Sequence, residues 1–309
     1  MIKYDELLAG GNHRWIHLEN PDKKEVEFMT DNYDVPHDFI SDIYDPFEVA
    51  RSEYLEADNE HPKLLLIEYV HLKNNHTDNE EYITLPLSII IVKDRIITIA
   101  NDTPDLLKDI HKNYFTTEEV RIEDIQHFIL EIFLHNEKRC IRALRHIFGR
   151  IERLSVDVQH STGNKIFYRQ IAVEKSIVVL KDGVTSNRRV IEKVRKYPLL
   201  ELTDEHHSKM HDVLVESHQA GQMAQTCFSL AEHLSGLFDN VISNNLNSIM
   251  KTLTSFTIIM TIPTIIGGLW GMNVTLPIEN HPHAFTILIL FITFISIVTY
   301  AWLKKNDYL

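Results

Sequence analysis

Apolar residues fall into three patterns that succeed one another along this chain. Up to about residue 116 they come in short runs rich in branched side chains, the pattern of strands. RWIHL (Arg14–Leu18), LLLIEYVHL (Leu64–Leu72) and YITLPLSIIIV (Tyr82–Val92) read as strands, and KDR (Lys93–Arg95) turns the last of them into IITIA. Pro86 predicts an edge position or a bulge for its strand, because proline brings no N–H to a ladder. DFISDIYDPFEVARSEYL reads as helical turns broken by Pro46, and TPDLLKDIHKNYF as a further non-strand segment. Residues 1–116 are therefore expected to form an α/β layered domain.

From residue 117 the strand signals vanish. Glu123 to Gln159 carries apolar residues at helical spacing, STGN (Ser161–Asn164) interrupts it, and a second helix runs from about Lys165 to Arg195. Residues 117–202 thus predict a helical hairpin, bounded at Tyr197-Pro198 because proline disfavours helix in the residue before it. From about Thr203 the pattern stays helical, with no proline until Pro263. One helix over 203–271 would be about 100 Å long, and such a helix needs neighbours.

The third pattern is apolar without interruption. No charged residue occurs from Leu253 to Trp270, or from Ala284 to Leu303. Each run is about 20 residues, enough to cross roughly 30 Å of hydrocarbon as a helix. Two buried core helices are the alternative, and the sharp charged ends of both runs argue against it. The spans are placed at 252–271 and 284–303, with a loop at 272–283 and a tail at 304–309. Lys251 precedes the first span, Lys304 and Lys305 follow the second, and the loop from Val274 to His283 carries Glu279 and no Lys or Arg. Positive residues stay cytoplasmic, so both termini are expected inside the plasma (inner) membrane and the loop outside. The start, MIKYDELLAGGNHRW, has no apolar core of a signal peptide.

Charge narrows the class of partner. Against 31 Lys and Arg stand 44 Asp and Glu, a net charge of −13. That weighs against nucleic acid and suits a chain that attracts cations. Cys140 and Cys227 stand far apart, in no CxxC pattern, and read as reduced thiols. No phosphate loop, nucleophile elbow or metal–water constellation is present to suggest an enzyme.

The first span has a polar seam. Asn247, Met250, Thr254, Thr257, Thr261, Thr264 and Gly268 recur at alternating steps of three and four, the repeat of a left-handed bundle. Threonine in a membrane helix also bonds its own i−4 carbonyl or serves ordinary helix contacts, so the stripe reads as packing or as pore. Asn247 at one end and Asn273 at the other favour the pore. Two spans cannot enclose one, so several chains must contribute a first helix each. The run then stops at Gly271-Met272-Asn273. Gly271 is suited to the left-handed residue that ends a helix. A ring of Asn273 amides would face the water shell of a cation, a sensible design for Mg2+, which dehydrates reluctantly.

The stretch NLNSIMKTLTSFTIIMTIPTIIGGLWGMN (Asn245–Asn273), followed by a short acidic loop, a second span and a lysine-bearing tail, resembles the CorA magnesium transport family over the whole chain. The resemblance implies a homopentameric funnel: an α/β cytosolic domain, long stalk helices and two membrane helices per chain. It implies a selectivity mouth at Gly271, Met272 and Asn273, and a pore lined by Asn247, Thr264 and Gly268. Met250 and Leu253 match the hydrophobic constriction, which shifts the seam by one residue from Thr254. It also implies gating by cytosolic Mg2+ held between subunits, with Asp212 on the stalk and Asp42 in the α/β domain as ligands, and cation collection by Glu279. The chain departs from the family at Trp270, where tyrosine is usual, at Ile278, which splits the loop's Pro-Glu pair, and in its tail of only two lysines. His207 and His211, at i and i+4, with His218 further on, could bind Zn2+ or Ni2+, although a solvated helix face explains them as well. His281 and His283 raise the same question. Three readings follow: a Mg2+ channel that also takes Co2+ or Ni2+, a Zn2+ transporter of the ZntB type, and an ion-sensing module that conducts nothing.

Overall fold

The computed structural model describes residues 1–56, 61–73, 80–115, 122–160, 164–272, 281–306 and 308. They form two compact units, Met1–Ser235 and Gly236–Leu309. The first contains a six-stranded sheet of order β1-β2-β6-β5-β4-β3. Its strands are β1 (Ile2–Leu7), β2 (Arg14–Glu19), β3 (Arg51–Glu53), β4 (Lys63–Lys73), β5 (Glu81–Val92) and β6 (Arg95–Ala100). Only β2 and β6 pair in parallel. Both faces of the sheet are covered, which is why its central strands read as unbroken apolar runs. Leu65, Ile67, Ile89 and Ile96 face one core, and Leu64, Leu66, Ile90 and Ile97 face the other.

Short helices α1 (Lys23–Tyr33) and α2 (His37–Ser41) cover one face through Met29, Phe39 and Ile40. A reciprocal cap starts α1: the Asp22 carboxylate accepts from the Glu25 N–H at 2.8 Å, and the Glu25 carboxylate accepts from the Asp22 N–H at 3.0 Å. That box is written in the sequence as Asp22-Lys-Lys-Glu25, a helix-start signal. The other face packs against α3 (Asp105–Ile110), α4 (Ile125–His160), α5 (Asn164–Lys196) and the start of α6 (Asp204–Trp270). A π-helical turn, His111–Phe115, follows α3. The last helix, α7 (Ala284–Lys305), lies in the second unit. Cys140 and Cys227 are free and buried.

Two local expectations need revision. The segment around Pro46 is not all helical: after α2 and a 3-10 turn, Asp42–Tyr44, the chain extends into β3 and pairs with Leu64–Leu66. Its Arg51, Ser52 and Glu53 take the ladder positions left open on β4. Pro86 sits in an interior strand rather than an edge strand, yet β6 pairs only with Ser88–Val92. Pairing sides alternate along an antiparallel strand. Pro86 lies an even number of residues from the closing pair Val92–Arg95, so its missing N–H faces the side where β6 has already ended. Opposite it, Glu68 turns its backbone to the helices, donating to Asn187 Oδ1 at 2.8 Å and accepting from Asn187 Nδ2 at 2.7 Å.

Candidate functional site

In the second unit α6 and α7 form a helix pair whose contact faces can be read from burial. On α6, Ser255, Ile259, Ile262, Pro263, Ile266 and Trp270 are covered. On α7, Leu288, Ile292, Ile295, Ser296, Thr299 and Leu303 are covered. Both sets step by three and four around one adjacent pair, Ile262–Pro263 and Ile295–Ser296, one face of a helix each. The pair is tied at its end by Ser255, which is fully buried and donates to the Tyr308 carbonyl at 3.0 Å. Outside these stripes both helices present apolar side chains outward, Phe256, Ile265, Phe291 and Phe294 among them. Both apolar stretches are almost wholly exposed, with only 6% of each buried. A core helix of a soluble protein shows the opposite. These helices are made for lipid and for neighbouring helices.

The polar seam lies on the other side of α6. Asn247, Met250, Leu253, Thr254, Thr257, Thr261, Thr264 and Gly268 are all exposed. At about 100° per residue, their centre falls roughly 170° around the helix from the face that α7 covers. Thr257 donates to the Leu253 carbonyl at 2.8 Å, Thr261 to the Thr257 carbonyl at 2.7 Å and Thr264 to the Met260 carbonyl at 2.9 Å. Each hydroxyl hydrogen is thereby used within the helix, and the oxygen lone pairs are left for whatever faces the seam. Thr293 on α7 does the same with the Ile289 carbonyl. Around Gly267 and Gly268 a Cβ would meet nothing within 4 Å. The chain's own packing therefore does not require glycine at either position.

The helix end differs from expectation. Gly11 is the one glycine with positive φ among the described residues, so Gly271 is not left-handed. Its N–H still bonds the Gly267 carbonyl at 3.0 Å, and the Met272 N–H bonds the Leu269 carbonyl at 3.3 Å. A last turn tightened to i−3 spacing closes the helix without a left-handed residue. Asn273 and Glu279 lie outside the described residues.

The acidic pair expected to bind regulatory cations is found in the first unit. Asp42 is engaged within its own chain: Arg51 Nη2 lies 2.5 Å from its Oδ2. The same guanidinium pairs with Glu53 at 2.7 Å and with Glu48. No sequence signal pointed to Arg51, because β3 was hidden in a segment that read as helix. Asp212 is exposed on α6, as are His207, His211 and His218. Among the described residues no group of three or more His, Cys, Asp or Glu is placed to hold a metal ion.

A family model described as CorA-like Mg2+ transporter protein matches residues 10–305. The cobalt/magnesium transport protein CorA of Methanocaldococcus jannaschii is 23% identical over 232 residues, 74% of this chain and 73% of the relative. The complete structure of the CorA magnesium transporter from that organism superposes with a TM-score of 0.80 at 19% identity, covering 97% of this chain and 92% of that one. The ZntB cytoplasmic domain from Vibrio parahaemolyticus gives a TM-score of 0.60 at 12% identity, over 75% of this chain and 88% of that one. These two likenesses are of fold: an α/β domain, long helices and, in the full-length structure, the membrane pair. With the family model spanning nearly its whole length, this membrane protein belongs to the CorA-like Mg2+ transporter family, a family of ion transporters and not of enzymes.

Proposed function

We propose that this chain assembles as a homopentamer whose α6 helices line a pore for Mg2+, with Co2+ and Ni2+ as further substrates, in the plasma membrane with both termini inside. The observation that carries this reading is the position of the seam. Thr254, Thr257, Thr261, Thr264 and Gly268 are exposed on the face of α6 turned away from α7. Copies brought together around that face would enclose a column of hydroxyl oxygens. Those oxygens accept hydrogen bonds from a cation's water shell, so Mg2+ need not shed its water to pass. Asn247 lines the inner end. Met250 and Leu253 form an apolar constriction that a hydrated ion crosses only when the ring widens. Gly271, Met272 and Asn273 form the outer mouth, and Glu279 gathers cations before it. Inward movement of a double charge gains roughly 4.6 kcal/mol per 100 mV, twice the single-charge figure.

Gating follows from the carboxylates. Mg2+ bridging Asp42 of one copy and Asp212 of the next would hold the ring closed, and its loss would let the like charges separate. Arg51 already holds Asp42, so the ion must compete with a guanidinium. A Zn2+ site is poorly served here: His207 and His211 supply two donors, short of the usual four. Asn273→Ala in reconstituted protein tests the mouth. Loss of Mg2+ flux from an intact oligomer is the expected result, and unchanged flux overturns the assignment.

A further inference from the structure

Pro263 has no N–H, so the carbonyl of Ile259, one turn earlier, loses its partner inside α6. In hydrocarbon such a carbonyl has no water to turn to, and helices tolerate proline there only when a neighbour supplies a donor. Ile259 and Pro263 both belong to the face that α7 covers. On α7, the Ser296 hydroxyl is buried and has no hydrogen-bond partner. It is an exception: Thr257, Thr261, Thr264 and Thr293 all turn their hydroxyls back to their own i−4 carbonyls.

The covered stripes also fix the register. They match as an antiparallel pair when Ser255 is set beside Leu303 and Trp270 beside Leu288. Ile266 then falls beside Ile292, Ile259 beside Thr299, and Ser296 at the level of Ile262 and Pro263. Ser296 thus lies three residues, about 4.5 Å of rise, beyond Ile259, on the side toward which the freed carbonyl points along α6.

We infer that Ser296 is the positioning residue of the pore helix: by rotation about its Cα–Cβ bond it brings its hydroxyl to the Ile259 carbonyl that Pro263 frees, donates to it, and so sets the direction of α6. A bend caused by Pro263 would fall between Thr261 and Thr264. It therefore governs how the outer seam, Thr264 and Gly268, lines up with the inner seam, Thr257 and Thr261. Ser296 touches no ion; it acts through the direction of α6. The structural half of this inference stands on the helix pair alone, and the transport half rests on the pore reading.

A double-mutant cycle on the full chain in proteoliposomes separates the two halves. The variants are Ser296→Ala, Pro263→Ala and both together, with Ser296→Thr as the conservative control, and the readouts are thermal unfolding and Mg2+ flux. With Pro263 replaced, the residue at 263 regains an N–H for the Ile259 carbonyl, and the serine loses its purpose. Ser296→Ala should lower the melting temperature and cut flux several-fold in the wild-type background, and change neither when Pro263 is alanine. Ser296→Thr should keep both near wild type. Equal effects of Ser296→Ala in the two backgrounds, or none in either, overturn the inference. A Pro263-dependent melting shift in protein that conducts no Mg2+ upholds the hydrogen bond and sinks the pore reading instead.

Discussion

Arg51 Nη2 lies 2.5 Å from Asp42 Oδ2, so the carboxylate expected to hold a regulatory cation already has a tethered one. Glu48 and Glu53 grip the same guanidinium, and its side chain is 32% exposed. Removing it would leave three carboxylates near one another with no counter-charge. Arg51→Gln should therefore lower stability at low Mg2+ by roughly 1–2 kcal/mol, the scale of a charged hydrogen bond in a partly exposed setting. It should also enlarge the rise in melting temperature on adding Mg2+. A Mg2+ titration of melting temperature, wild type against variant, checks this; identical titrations would show that Asp42 takes no part in cation binding.

Glu137 on α4 is fully buried, and neither carboxyl oxygen has a partner. Burial, with the Glu216 carboxylate nearby, pushes it up to about 8 from an ordinary 4.5. Below the ordinary value the group is protonated whether the chain is folded or not, and it has no effect on stability. As pH rises from there to about 8, the unfolded chain gives up the proton and the folded chain keeps it, so stability falls. The loss has a ceiling of about 5 kcal/mol, reached above that range. Glu137→Gln should melt higher than wild type at pH 8 and similarly at pH 4.5. A pH series of melting temperatures decides, and parallel curves would mean that Glu137 is ionised in the fold.

The threonine seam makes a prediction with its own control. Thr264 and Thr293 each bond an i−4 carbonyl, and both are exposed. Only Thr264 lies on the seam. Valine keeps the shape and removes the oxygen. Thr264→Val should reduce Mg2+ flux at least several-fold, and Thr293→Val should leave it near wild type. Equal losses would assign threonine a packing role and not one in the pore.

Both cysteines should be silent. Burial pushes Cys140 well up and Cys227 up to about 11, where thiolate is scarce. A water-soluble maleimide at pH 7.5 should label neither until the protein is unfolded. Rapid labelling of folded protein would contradict the packing of α4 against α6.

How much of this was legible in the sequence varies with the physics of each element. The central strands were clear because sheets buried on both faces write long branched runs, as in Leu64–Ile67. The edges were not. Ile2–Leu7 lies at the sheet's margin, where most of its residues are exposed and no apolar run forms. Arg51–Glu53 is a polar strand of three residues, five residues after Pro46, set only by pairing with β4. The membrane helices and the threonine seam could be read from spacing alone. Their orientation could not, because it depends on which face α7 covers. Ser255 is the useful clue in hindsight: a polar residue in the apolar run, out of phase with the threonines, marking the helix–helix face. The Arg51 clamp on Asp42 left no trace at all, since the two residues meet through tertiary structure.

Flux into proteoliposomes of the purified wild-type chain tests the central claim most directly. Mg2+ and Zn2+ are followed separately, with an inside-negative potential, and with and without a proton gradient. A pore lined by hydroxyls that read a hydrated ion predicts Mg2+ entry that scales with the potential and ignores the proton gradient. Zn2+ entry that follows the proton gradient, with no Mg2+ flux, would contradict it.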